Sequence, residues 1–394
     1  MTTGTGTDTD TNTGTGWAPP TETERLLYEA TARDDGDAVL DALSRSRLYV
    51  LVARLHADTP GYTAPLPSGP DPATGRTHVP VLTPGMLPPW HPDWVFRRTT
   101  LAELAKSWPD NKWWLAVNPG TPYAATVKAR PAHRRAWLRA DTKSGGPRHN
   151  RLITHSGGPL HGPVAHGLAL GAHLAVNNGI VWNQLGAAYL DYETDIARLH
   201  HPWHVGNRAA YRQTLDSLMA TRLIGRTHEF VLRTRLGLVG RLKRAPSQRE
   251  WSDGVTAALN RRGASEDESA EAGESLLRVV RYENRFRADG ILAPDGRIDT
   301  LAAFDHGRAV NVVRLALGAR YCDPYEAEQA VLRIGELARR AYGSWEEFSL
   351  GYALTRLIYF DTDDDSEVRY QESLTHHRVL TQDPTSPYRN IPWS

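Results

Sequence analysis

Two helix-start signals near the C-terminus constrain the fold of this chain more than any other feature. The segments Asp323–Glu326 and Ser344–Glu347 each place a capping side chain three residues before a glutamate, which is the capping-box pattern. Pro324 stands at the first helical position, where proline is well tolerated. Because Gly343 leaves only a short joint, the two predicted helices should fold back on each other as an antiparallel hairpin. A further helix is predicted from Thr300 onwards.

Polar and aromatic residues on these predicted helices form a candidate cluster. Asp305 and Arg308 are three residues apart, so they can pair along one helix face. We interpret the cluster as an ion network that fixes helix packing; the alternative is a catalytic cleft, which requires perturbed proton affinities. The predicted interaction or structural residues are Asp305, Arg308, Trp345, Glu347, Arg356 and Trp393.

Several short motifs in this region carry a family resemblance. They are Phe304–Arg308, Ser344–Phe348, Gly351-Tyr352 and the ending Ser386–Trp393. As a set they resemble a bacterial family catalogued as domain of unknown function (DUF) family 1266, over a stretch from about His166 to the C-terminus. The resemblance implies a helical domain and brings no catalytic assignment with it.

The first third of the chain has a different pattern. Short β-rich segments at 48–52, 78–82 and 113–117 predict strands, and Asn118-Pro119-Gly120 ends the last of them. With a predicted helix before the third strand, they form a small α/β unit. The stretch from about Asp37 to Val127 resembles the SseB-type N-terminal domain of bacteria, which implies an accessory or interaction role.

The predicted fold class is α+β, with a small N-terminal α/β domain followed by a larger, mostly α-helical domain. At 394 residues the chain is long enough for two domains. We expect a disordered Thr/Gly/Asp-rich leader (1–20), the α/β domain (21–127), a basic linker (128–155) and the helical domain (156–394).

Composition and charge exclude several classes of protein. A hydrophobic content of 40% and a charged content of 23% are typical of a globular domain, and the net charge of +1 shows no overall preference for nucleic acid or membrane. No apolar run reaches the eighteen or so residues that a membrane span needs. The start Met1–Gly4 does not resemble a secretory signal, so we expect a cytoplasmic protein, with export by a leaderless machine as the alternative. The single cysteine, Cys322, excludes an intramolecular disulfide.

An acidic segment follows the last strongly predicted helix and matches much of the calcium-loop pattern. Its predicted metal ligands are Asp361, Asp363, Asp365 and Glu372. Ser366 stands where that loop normally has glycine, and Arg369 places a cation beside the ligands. The alternatives are magnesium held by two of the aspartates or a solvated acidic loop. Apart from such an ion, no cofactor is expected.

Histidines and basic runs are the remaining candidates. The imidazoles of His155, His161, His166 and His173 suit zinc binding or general-base chemistry, but no tight ligand spacing accompanies them. Two basic runs, 128–151 and 222–249, suit either an anionic partner such as nucleic acid or a plain solvated surface.

The predicted function is a non-enzymatic protein-interaction or adaptor protein with an unidentified protein partner. Its accessory role in a bacterial export or conflict system rests on resemblance alone. The alternative is a metal-dependent hydrolase or nuclease-like effector that acts on an anionic substrate. A third hypothesis is a calcium-gated binding module. No catalytic residue is predicted, so the question of enzymatic activity stays open.

Overall fold

The computed structural model describes residues 18–72, 74–147, 149–186, 188–360 and 365–393. The strands are β1 (Leu48–Ala53), β2 (Gly69–Pro70), β3 (Thr77–Val81), β4 (Trp94–Thr99), β5 (Trp114–Val117) and β6 (Ala125–Lys128). The helices are α1 (Glu22–Ala32), α2 (Gly36–Ser44), α3 (Arg54–Ala57), α4 (Leu101–Ser107), α5 (Pro131–Ser144), α6 (Gly162–Ala169), α7 (Ala172–Asn178), α8 (Tyr192–Trp203), α9 (Arg208–Met219), α10 (Arg226–Leu242), α11 (Gln248–Arg261), α12 (Glu266–Ala288), α13 (Ala302–Gly318), α14 (Pro324–Ala341), α15 (Trp345–Tyr359), α16 (Ser366–Gln382) and α17 (Pro387–Asn390). This order confirms the predicted α+β class. The predicted leader lies outside the described residues, except for its last three.

The N-terminal part contains two sheets. The larger has the strand order β2-β3-β5-β6, in which β3 and β5 are parallel and the outer pairs are antiparallel. β1 and β4 form a separate antiparallel pair, in the register Leu48↔Thr99 to Ala53↔Trp94. The predicted strands became β1, β3 and β5, whose apolar side chains are buried in one core. β2, β4 and β6 were not predicted, because pairing with a neighbour rather than local pattern makes them strands.

Residues 131–144 correct the predicted basic linker of 128–155. They form the helix α5, which begins at a proline, as the first helical position allows. Its Trp137 is fully buried and meets Trp108 edge to face, with ring centroids 5.4 Å apart. One face of α5 therefore belongs to the N-terminal core. The sequence of this segment reads as a basic linker because its cations, among them Arg135 and Arg139, occupy the exposed face of the helix.

The helical part is built around α13. Fifteen of the seventeen residues of this helix are buried, as expected for a helix that is apolar on nearly every side. α14 packs on α13 and α6, whereas α15 packs on α13, α12 and α16. α14 and α15 therefore pack mainly on α13 rather than along each other, which corrects the predicted antiparallel hairpin. The helix starts themselves are confirmed, with Asp323 and Ser344 as caps.

The two parts of the molecule are in direct contact. Arg47, one residue before β1, donates to the carbonyl oxygens of Asn178 and Gly179 at the end of α7. Trp90 Nε1 donates to the carbonyl oxygen of Leu317 over 3.1 Å. The hydroxyl of Tyr192 donates to the Asp58 carboxylate. Several polar bonds therefore fix the position of the sheets against the helices.

Candidate functional site

A cleft of about 770 Å³ opens in the helical part. Its walls come from α7, α9, α13, α15 and α16 and from the end of α8. Its aromatic lining consists of Trp203, Phe304, Tyr352, Tyr359 and Phe360. Its basic lining consists of Arg308, Arg356, His173, His204 and His376. No carboxylate among the described residues lines the cleft, so the charged side chains that face it are cationic.

Two helices contribute to the cleft with the same residue spacing. Phe304, Arg308 and Asn311 lie on one face of α13, and residues 352, 356 and 359 repeat the spacing on α15. Gly307 permits the close approach of these helices, because a Cβ there would lie 2.8 Å from Tyr352 Cε2 and 3.0 Å from the carbonyl oxygen of Leu170. The glycine of the Phe304–Arg308 motif thus lets the two faces meet.

Arg308 lies among aromatic rings at one side of the cleft. Its guanidinium carbon is 4.2 Å from the ring centroid of Phe304 and 5.4 Å from that of Trp203, distances that suit cation–π contact. It donates to the carboxylate of Asp305, which also accepts from the backbone N–H of Leu223. Burial raises the pKa of Asp305, and the neighbouring guanidinium opposes that rise. The predicted Asp305–Arg308 pair therefore exists and orients the arginine.

Arg356 is the second arginine that lines the cleft. It donates to Ser373 Oγ over 3.0 Å and to Glu372 Oε2 over 2.8 Å, both on α16. The side chain of Arg356 is 19% exposed and lines the cleft. The two arginines of the predicted cluster thus line one cleft, although each pairs with a different carboxylate.

A buried chain of hydrogen bonds lies beneath the cleft. His173 Nε2 and His377 Nδ1 are each 2.9 Å from Ser349 Oγ. Because a hydroxyl has one proton, Ser349 donates to one imidazole and accepts an N–H from the other. Burial lowers the pKa of His377 to about 4 and that of His173 well below 6.5, so both rings are uncharged at neutral pH. The chain fixes the ring of His173 in the cleft wall.

The other residues of the predicted cluster lie elsewhere, in the docking site of the C-terminal tail. Trp345 stacks on Tyr388 with ring centroids 4.4 Å apart, and its Nε1 donates to the carbonyl oxygen of Ile391. Trp393 Nε1 donates to the carbonyl oxygen of Tyr342 over 2.8 Å. Glu347 accepts from the backbone N–H of Gly343, at the start of α15. These three residues bind backbone groups and the C-terminal tail, and none of them lines the cleft.

The predicted calcium ligands are only partly described. Asp361 and Asp363 lie outside the described residues. Glu372 already accepts from Arg356, and Asp365 Oδ2 lies 3.6 Å from Arg369 Nη2. The two described ligands therefore have cationic neighbours, and the calcium site stays a prediction.

The predicted histidine cluster is spread over several environments. His161 occupies the N-cap position of α6 without a side-chain capping bond, and His155 Nε2 lies 3.3 Å from the carbonyl oxygen of Gly85. His166 packs against Trp345. Burial lowers the pKa of His166 to about 4. In the described ranges of the chain, no group of three or more His, Cys, Asp or Glu side chains is placed to hold a metal ion.

The two basic runs differ in exposure. In the first run, Arg135, Arg139 and Lys143 are exposed on α5. The second includes Arg235, whose buried guanidinium donates to both carboxylate oxygens of Glu283 over 2.8 and 2.9 Å. Arg244, in the same run, forms an exposed ion pair with Glu250. Part of the second run is thus structural, and contact with nucleic acid stays a prediction. None of the described helices is long and apolar enough to cross a bilayer.

The residues that sequence reasoning missed are those that α7, α8 and α9 bring to the cleft. Asn177, Trp203 and Thr214 belong to three different helices, so no local pattern links them. One signal was available: an aromatic residue followed four positions later by arginine occurs in both α13 and α15. This repetition indicated two helix faces of the same chemistry.

Comparison with known proteins gives a match only for the C-terminal half of the chain, and that match is to a family model. No curated protein and no solved structure matches the chain. The resemblance of residues 37–127 to an SseB-type domain stays a prediction, because the family match does not reach them. That match starts later than the expected His166 and runs to the end of the predicted tail. Residues 198–393 match the family described as Protein of unknown function (DUF1266).

Proposed function

We propose that this protein is a non-enzymatic interaction protein, an adaptor, whose ligand site is the cleft between α7, α9, α13, α15 and α16. The ligand combines a planar apolar group with an anionic group. The observation that carries the proposal is the lining: five aromatic side chains and two arginines, with no carboxylate among the described residues that face the cleft. Binding of this ligand would then control contact with a protein partner.

The size and chemistry of the cleft support a small-molecule ligand. Its volume of about 770 Å³ lies within the range of known ligand pockets. Phe360 is 39% exposed and Tyr359 is 50% exposed at its edge, so both rings offer accessible aromatic surface to a planar group. Arg356 and Arg308 present planar guanidinium groups, which suit carboxylate, sulfonate or phosphate.

The buried imidazoles support binding rather than turnover. His173 is bonded to Ser349, and His376 Nε2 lies 2.9 Å from Asn150 Oδ1. Burial lowers the pKa of His376 to about 4. Both imidazoles therefore have a structural hydrogen-bond partner and stay uncharged, as expected for side chains that form a rigid wall of the cleft. The alternative hydrolase hypothesis takes the histidine cluster, or Asp361, Asp363 and Asp365, as metal ligands and the two basic runs as the substrate contact. Asp361 and Asp363 lie outside the described residues, and no contact among the described residues favours this alternative.

The proposal is tested with the aromatic anion 8-anilinonaphthalene-1-sulfonate as a probe. Its fluorescence is titrated against the full chain and against the double variant Phe360→Ala/Arg356→Gln. We expect saturable binding of one probe per chain and affinity about tenfold weaker in the variant. The matched control is Tyr325→Ala/Arg244→Gln, which removes an aromatic ring and an arginine from outside the cleft.

Two outcomes decide the matter. Weaker binding in the cleft variant alone supports the proposal. Equal binding by the cleft variant and the control, or no saturable binding by the native chain, rejects the cleft as the site. Circular dichroism of each variant verifies that the helices are retained.

A further inference from the structure

A second pocket lies where the sheets meet the helices, and its lining is strongly cationic. It has a volume of about 60 Å³ and is lined by residues of both parts. Four arginines line it: Arg45 and Arg151 are ion-paired with Asp41 and Glu22, whereas Arg47 and Arg314 have no ion pair with a described carboxylate. The volume is enough for a few water molecules or for one small anion.

Two of these arginines are buried without a carboxylate in contact. Arg47 is 9% exposed and Arg314 is 3% exposed, and within the described ranges neither has an acidic oxygen within 4 Å. A buried charge is costly unless a counter-charge or hydrogen bonds compensate it. Burial accordingly lowers the pKa of both guanidinium groups. The pocket thus holds a local excess of positive charge.

Backbone carbonyl groups satisfy only part of the hydrogen-bonding capacity of these side chains. Arg47 donates to the carbonyl oxygens of Asn178 and Gly179, and Arg314 to those of Val181 and Trp182. These bonds to described residues use two of the five N–H donors of each guanidinium group. Arg314 Nε is buried and has no acceptor among the described residues.

The carboxyl group of Asp195 does not compensate this charge. Its field acts on Arg314, but it lies beyond ion-pair distance and is fully buried. One of its oxygens accepts from the backbone N–H of Leu190, and the other has no partner in the described part of the chain. Burial raises the pKa of Asp195 well above its ordinary value, which favours the uncharged form.

We propose that this pocket is an anion site that binds a tetrahedral oxyanion, a phosphate or sulfate group, between Arg47 and Arg314. Arg45 and Arg151 stand at its edge, with side chains 29% and 30% exposed, and can turn from their partners Asp41 and Glu22 towards the anion. The anion supplies the missing counter-charge and acceptors. Because the lining comes from both parts of the molecule, the bound anion also strengthens their contact.

The test is isothermal titration of the full chain with inorganic phosphate at constant ionic strength. We expect saturable binding of one phosphate per chain at millimolar concentration or below. The double variant Arg45→Gln/Arg151→Gln should bind about tenfold more weakly, since two of the four cations around the pocket are lost. Both substitutions are at partly exposed positions, so the fold is retained. The control is Arg244→Gln/Arg249→Gln, which removes two cations outside the pocket.

A parallel titration with phenyl phosphate distinguishes a free anion from the phosphoryl end of a larger ligand. Binding of either compound at one site, weakened by the edge variant and unchanged in the control, supports the proposal. Absence of saturable binding for both compounds, or equal losses in the edge variant and the control, overturns it. The pocket is separate from the cleft, so this result does not depend on the proposed function.

Discussion

The imidazole of His173 stacks on the ring of Tyr352, with centroids 4.3 Å apart and planes inclined by 14°. The contact joins α7 to α15 directly at the wall of the cleft. Ser349 lies one turn before Tyr352, and its hydroxyl forms a hydrogen bond with Nε2 at the edge of the same imidazole. The cleft wall therefore depends on a buried polar contact as well as on apolar packing.

Replacing Ser349 with alanine should destabilise the helical part. Both His173 and His377 would lose a hydrogen-bond partner in a buried site. We expect a loss of about 2–4 kcal/mol in the free energy of unfolding, measured by urea denaturation. Ser107→Ala removes an exposed hydroxyl that donates to Glu103 O and should change stability by less than about 0.5 kcal/mol. Similar values for both variants would contradict the buried hydrogen-bond chain.

Acid should destabilise the fold between pH 6.5 and about 4. Burial alone lowers the pKa of His306 from 6.5 to about 4, so the unfolded chain binds the proton more readily than the folded chain. The stabilising contribution is complete above pH 6.5 and is lost as the pH falls through that interval, by about 3 kcal/mol.

The variant His306→Leu isolates this effect. It cannot bind the proton, so its unfolding free energy should fall less steeply with acid, while its stability at pH 7 stays within about 1 kcal/mol of the native chain. The measurement is urea denaturation at a series of pH values. An acid dependence identical to that of the native chain would refute the role of His306.

Docking of the C-terminal tail should contribute strongly to stability. Trp345 is buried against Tyr388 and Trp393, so Trp345→Ala should cost about 3–5 kcal/mol. Trp94→Ala removes a ring that is 44% exposed and should cost far less. Thermal unfolding followed by circular dichroism compares the two. If the Trp94 variant were the less stable one, the tail would not be the dominant contact.

The two ion pairs of the second basic run should differ in strength. Arg235→Ala removes both short guanidinium contacts of the buried Glu283 and leaves it, among the described residues, only the 3.5 Å ion pair with Arg287 and the N–H of Ile298, so the change should cost about 3–5 kcal/mol. Arg244→Ala breaks the exposed pair with Glu250 and should cost less than about 1 kcal/mol. Chemical denaturation of both variants gives the comparison. Equal losses would show that burial does not set the strength of these pairs.

Local signals in the sequence determined where elements begin. Asp323 and Ser344 mark helix starts because a cap acts within three residues, and the β-rich runs at 48–52, 78–82 and 113–117 became strands for a similarly local reason. The Asp305–Arg308 pair was predictable because both residues lie on one turn of one helix.

Only the tertiary structure decided which surfaces meet. α14 and α15 each pack on α13 rather than along each other, and α5 packs on the N-terminal core through Trp137. The cleft combines His173 with Arg356, and the anion pocket combines Arg47 with Arg314, across long separations in the chain. Burial of apolar surface selects these contacts, and it depends on the shape of the whole molecule, whereas capping and strand propensity depend on a few neighbouring residues.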